Sequence, residues 1–240
     1  MLRRLRELGW FAKPHPVLAA NRELFADFDQ SRPLAEYTFV VCDTELTGFS
    51  LHRDEIISIG AVKIVDLRIA LNETFHQYIR PHHLEHTDST LVHRITPEQL
   101  RGMPPMEEVL PEFVRFCGDG MLVGHHVILD MNFLNRAARE VLGGTLSNPS
   151  IDTMRLAMGY KEAQFMSEER HAHLSTSYNL ADLTQEFGLP AFKPHDALDD
   201  ALQTSYLFLF LLKKIRLGQI RSLKDLYLAG RDVEMAASWQ

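Results

Sequence analysis

Residues 41–48 read VCDTELTG. The run that leads into them, Tyr37–Cys42 (YTFVVC), is rich in β-branched and aromatic residues and reads as a buried strand. It stops at Asp43, and Glu45 follows two residues later. Burying charge is costly unless something pairs with it. Residues two apart on a strand face the same side, so Asp43 and Glu45 point together into one place. Two carboxylates that close repel, and one pKa rises unless a cation neutralises them. Hard oxygen ligands with no cysteine or histidine cluster favour Mg²⁺ or Mn²⁺ over Zn²⁺.

The pattern around this stretch sets the expected fold. Glu55–Val65 (EIISIGAVKIV) reads as a second strand with a bulge at Gly60, and Leu71–Ile79 as a third. Short links join the three, which suits a meander. Pro105–Phe116 carries Met106, Val109, Leu110, Phe113 and Phe116 at helical spacing. Met121–Gly124 is a short buried strand, Leu129–Leu142 a helix and Ser150–Ile151 a last short strand. Asp152 caps the helix that follows. Leu180–Phe187 is a helix closed by Gly188, and Leu198–Ile215 is a long helix with an apolar face. This order predicts a mixed α/β layer fold. Ligands in such folds gather at strand carboxyl ends, where Asp43 and Glu45 stand.

Composition narrows the function. The 240 residues suit one domain with extensions. A net charge of -7 argues against a broad basic coat for nucleic acid. It leaves open an enzyme that holds nucleic acid through a bound cation, which reverses the local charge. Cys42 and Cys117, the two cysteines, both fall in apolar segments and point to a reducing compartment. The start, MLRRLRELGWFAK, is interrupted by charge and does not read as a secretory signal. The expectation is a cytoplasmic protein without membrane contact, with helices at Leu2–Phe11 and Pro16–Phe28 forming an N-terminal arm.

Three further stretches carry suspicious acids: Asp130 in GHHVILDMNFL, Asp152 in IDTMRLA, and Asp200 in HDALDDALQT behind His195. Asp130 and Asp200 each stand near a helix start, where the helix dipole favours negative charge. Each could add a carboxylate to the Asp43–Glu45 cleft. Four converging carboxylates suit a two-metal site for phosphodiester displacement. Asp152 reads as a cap and Asp199 as a solvated acid. His82, His83, His86, His171 and His173 fit no common zinc spacing.

DTELTG, GHHVILDMNFL and HDALDDA, in that order, resemble the three motifs of the DEDDh (DnaQ-like) 3′–5′ exonuclease family. Weaker echoes are RDEIISIGAVKI, LVHRITPEQL and YNLADLTQEFGLP. The resemblance covers about residues 36–215, leaving 1–35 as a helical extension and 216–240 as a tail. It implies a ribonuclease H-like fold, a mixed five-stranded sheet flanked by helices, and a site using two divalent cations, Mg²⁺ or Mn²⁺. It further implies that Asp43, Glu45 and Asp200 hold one ion, that Asp43 also reaches the second with help from Asp130, and that His195 is the general base. Thr44 and Leu46 would lie against the terminal nucleotide, and His125 would contact substrate. The sequence departs from the family pattern at Leu46, where an apolar side chain can still wedge against a base, and at His126 and Leu129, which bear on substrate positioning. The implied activity is hydrolysis at single-stranded DNA 3′ ends with release of nucleoside 5′-monophosphates. An RNA-trimming exoribonuclease and a non-catalytic interaction protein are the rivals. The basic arm (Arg3, Arg4, Arg6) is expected to tune affinity or to meet a polymerase or repair partner.

Overall fold

The computed structural model describes residues 13–166, 177–216 and 222–226. The expected helix Leu2–Phe11, the arginines of the arm, His171, His173 and most of the tail lie outside them.

The sheet has five strands: β1 (Phe39–Leu46), β2 (Ile56–Val65), β3 (Arg68–Tyr78), β4 (Met121–Gly124) and β5 (Ser150–Asp152). Their order is β3-β2-β1-β4-β5. The meander β1–β2–β3 is antiparallel, whereas β1, β4 and β5 run parallel. This is the mixed five-stranded sheet that the family resemblance implied. The helices are α1 (Pro16–Leu24), α2 (Asp88–His93), α3 (Pro97–Leu100), α4 (Met106–Cys117), α5 (Ile128–Val141), α6 (Thr153–Met166), α7 (Leu180–Glu186) and α8 (Ala197–Arg216).

Alternation along β1 and β2 divides the core. Val40, Cys42 and Leu46 face an apolar cluster with Phe113 of α4 and Phe133 and Leu134 of α5. Phe39 and Val41 of β1, with Val62 and Ile64 of β2, face the cluster of Phe208, Leu211 and Leu212 on α8. Leu18 and Leu34 from before β1, and Leu223 and Leu226 from beyond α8, are buried in these same clusters. The core therefore draws on residues from both sides of the expected divisions at 35 and 216. Both cysteines are free and buried. Among the described residues no helix is long and apolar enough to cross a membrane.

Several local expectations meet their cause here. Asp152 accepts from the Met154 N–H at 2.9 Å and so caps α6. Gly188 follows α7 with a φ of +62°, a conformation that suits glycine. Gly60 is not a bulge. It pairs in register with Asp43 on one side and His76 on the other, and the irregularity in the β2–β3 pairing lies between Val62 and Lys63. Its role is close approach, because a Cβ at Gly60 would stand 2.1–2.3 Å from the backbone of Ala197 and Leu198. The first turn of α8 therefore rests directly on the sheet.

Gly60→Ala should displace α8. Forced overpacking of this kind typically costs about 1–3 kcal/mol, and a backbone collision belongs at the upper end, roughly 6 °C or more in Tm for this chain length. Thermal unfolding checks the stability, and a Mn²⁺ titration checks whether the cleft below α8 is disturbed with it. An unchanged Tm would refute the contact.

Candidate active site

β1 runs further than its apolar part suggests, through Leu46, so both acids lie inside the strand. Its pairing with β4 covers only Phe39–Val41, while β2 continues alongside to Leu46. A crevice therefore opens beside Asp43–Leu46 at the carboxyl ends of β1 and β4. Three elements deliver acids to it.

From β1 come Asp43 and Glu45, on the face that α8 covers. From the first turn of α8 comes Asp200. Each of the three offers one carboxylate oxygen, and these oxygens lie within 4.8 Å of one another. From the first turn of α5 comes Asp130, 6% exposed. Its Oδ1 accepts from the Thr44 backbone N–H at 3.0 Å and from the Thr44 hydroxyl at 2.6 Å. Asp130 is thus fixed beside the other three, on the opposite face of β1.

His195 stands exposed on the rim, just before α8, with a left-handed φ of +64°. Its backbone N–H donates to Asp200 Oδ2 at 2.8 Å. The residue that bears the imidazole and the acid five positions later are therefore held as one unit.

Two residues of the expected substrate surface are engaged within the protein. Leu46 is only 6% exposed and sits in the apolar cluster with Ile56 and Val127, so little of it can meet a base. His125 spends both ring nitrogens inside the protein. Nε2 is 2.8 Å from the Tyr178 carbonyl, which can only accept, and Nδ1 is 3.0 Å from Thr153 Oγ1. Burial pushes its pKa down. His125 therefore ties the end of β4 to the start of α6 and to the segment before α7. Thr44 is half-buried, with its polar groups committed to Asp130.

Sequence reading missed Asp196. Its carboxylate accepts from the N–H groups of Leu198 at 3.2 Å and Asp199 at 3.3 Å, capping α8. Its charge also acts on Asp43, Glu45 and Asp200. The available signal was an aspartate immediately before a long apolar-faced helix, a cap signature.

The electrostatics follow from crowding. Burial, then Asp130, Asp200, Glu45 and Asp196, push the Asp43 carboxyl well above its ordinary range. Burial, then Asp200, Asp196 and Asp130, push Glu45 up to about 8. Burial raises Asp130 against the two bonds from Thr44, and burial raises Asp200 against the His195 N–H. Oxygen donors at this spacing, disfavoured as bare anions, fit hard divalent cations.

These features define a class: a mixed-sheet α/β protein whose strand ends hold an acid-lined cleft fit for divalent cations. The profile of the RNase T family, described as an exonuclease, matches residues 40–208, and the chain belongs to this exonuclease family. The DNA polymerase III subunit epsilon of Aquifex aeolicus is 33% identical over 201 residues, spanning 80% of this chain and 91% of that one. A PolC-type DNA polymerase III from Thermotoga petrophila is 37% identical over 194 residues; the match takes in 78% of this chain and only 13% of the polymerase. Among solved structures, E. coli exonuclease I in complex with a dT13 oligonucleotide aligns at a TM-score of 0.63 and 16% identity. That alignment covers 75% of this chain and 42% of exonuclease I, a likeness of fold.

Raised carboxyl pKa values make the cation-free protein lose stability as pH rises. Folding favours the protonated acids, so the stability they allow is present below about 4.5 and is lost as pH approaches about 8. Melting in EDTA should therefore give a lower Tm at pH 8 than at pH 6. Mn²⁺ should restore more at pH 8, because binding must displace protons at pH 6. Equal Mn²⁺ increments at both pH values would contradict the crowding described.

Proposed function

We propose that the protein is a metal-dependent 3′–5′ exonuclease that hydrolyses the terminal phosphodiester of single-stranded DNA and releases nucleoside 5′-monophosphates. The observation that carries the reading is the convergence of Asp43, Glu45 and Asp200 within 4.8 Å, with Asp130 fixed alongside. The relatives named as polymerase III subunits, and a structural neighbour holding a DNA oligonucleotide, favour DNA.

In this reading Asp43, Glu45 and Asp200 would hold one divalent cation, and Asp43 with Asp130 would serve a second. When bound, such ions neutralise the phosphate and make water more acidic. His195 takes the proton of the attacking water at its imidazole. The water oxygen bonds to phosphorus, the bond from phosphorus to the penultimate 3′-oxygen breaks, and that oxygen takes a proton from solvent to leave as a hydroxyl. The backbone bond of His195 to Asp200 keeps the base in register with the ligand set. Thr44 positions Asp130 and lies beside the terminal nucleotide. The basic arm, Arg3, Arg4 and Arg6, is the proposed contact for a polymerase or repair partner.

The test uses matched 5′-labelled single strands of DNA and RNA with Mn²⁺ or Mg²⁺, and again with EDTA. Stepwise shortening from the 3′ end of DNA, mononucleotide product and loss in EDTA are expected. Preference for RNA would overturn the substrate assignment, and no cleavage of either would overturn the activity. Asp43→Ala should abolish turnover.

His195→Ala separates base from ligand. General-base catalysis is worth about 10²–10⁴-fold, so the rate should fall by that order while Mn²⁺ binding stays at the wild-type level. Calorimetric titration beside single-turnover kinetics reads both. Loss of Mn²⁺ binding would make the residue a ligand instead.

A further inference from the structure

Two buried polar residues stand directly opposite each other across β1 and β2. Glu45 pairs directly with Ser58, and Ser58 pairs directly with Tyr78. Residues directly opposite in an antiparallel pair share a face and stand about 4.5–5.5 Å apart at Cβ. Ser58 is fully buried, and among the described residues its hydroxyl has no hydrogen-bond partner. Glu45 is 9% exposed, and among the described residues no hydrogen bond reaches its carboxylate. The surroundings are rich in acceptors, since the charges of Glu45 and Asp196 both act on Tyr78, the neighbour of Ser58 on its other side. A donor without an acceptor therefore lies beside an acid without a donor.

We propose that Ser58 is a positioning residue for Glu45: when the cleft holds a divalent cation, the Ser58 hydroxyl donates to the Glu45 oxygen that the cation leaves free. This rests on the cation-binding reading of Asp43, Glu45 and Asp200. A carboxylate offers about four lone-pair sites, and one cation occupies one or two of them. Rotation about a single side-chain bond is all that Ser58 needs to turn toward Glu45. The hydroxyl stays idle in the empty cleft and is used in the loaded one. A merely structural serine would stabilise both states alike.

The experiment is Ser58→Ala, measured by Mn²⁺ calorimetry and by thermal unfolding in EDTA. Partners that orient a metal ligand are worth about 10–100-fold in affinity, so Mn²⁺ binding should weaken by about tenfold. Removing a buried hydroxyl that has no partner should leave the Tm in EDTA unchanged or higher. This opposite response of the two states is the signature. If the wild type binds Mn²⁺ and Ser58→Ala binds it equally well, the proposal is overturned and the cation site stands. A lower Tm in EDTA, with Mn²⁺ affinity falling only in step, also overturns it, because Ser58 would then be structural. If the wild type fails to bind Mn²⁺ at all, the cation reading falls and takes this proposal with it.

Discussion

The site depends on how closely α8 lies on the sheet at Gly60. Helices ordinarily stand off a sheet by the length of the side chains between them. Here one rung of β2 has no side chain, and the backbone of Ala197 and Leu198 fills the space a Cβ would take. Gly60 is the register partner of Asp43. The same contact that seats the helix therefore lowers Asp196 and Asp200 onto the strand that carries Asp43 and Glu45. Asp196 then secures the turn by capping it. One missing methyl group thus links packing to the gathering of charge.

Gathered acids need compensation, and they receive it unequally. Asp130 takes two donors from Thr44, and Asp200 takes the N–H of His195. Among the described residues no such bond reaches the carboxylate of Asp43 or Glu45; burial and neighbouring carboxylates act on both in one direction. The two acids on β1 are therefore the ones whose ionised forms most require a cation. Those brought in by α5 and α8 are also held in place by the protein itself. Buried charge is tolerated when paired, so this division suits a cleft built to be filled.

Much of this was legible in the sequence, because it follows local rules. Strand alternation put Asp43 and Glu45 on one face, helical spacing placed Asp130 and Asp200 in first turns, and Asp152 and Gly188 gave themselves away as helix punctuation. What stayed hidden depends on partners far along the chain. Gly60 reads as a bulge until α8, well over a hundred residues later, is laid against it. Leu46 reads as a base-wedging side chain until Ile56 and Val127 close over it. His125 reads as a substrate ligand until Thr153 and Tyr178 take its nitrogens. Asp196 went unnoticed beside His195 because a cap and a member of an acidic cleft carry the same letter. The idle hydroxyl of Ser58 has no sequence signature at all, since only the strand register sets it opposite Glu45.

The short fourth strand explains why the cleft lies where it does. β1 is the central strand, and a partner along its whole length would leave no room for ligands. β4 accompanies it only to Val41, and beyond that point the chain turns through Val127 into α5. A Cβ at Gly124 would meet Val127 at 2.8 Å and the Cys42 carbonyl at 3.2 Å, so the turn is made tightly against β1. The first turn of α5 thereby reaches the face of β1 that carries Thr44, while α8 covers the face that carries Asp43 and Glu45. Successive residues of one strand are thus addressed from both sides of the sheet. Asp130 is set through Thr44, and Asp200 is set beside the flanking acids. The early end of β4 brings α5 to Thr44, and the contact at Gly60 brings α8 to Asp43 and Glu45, so helices from opposite layers meet at three successive residues.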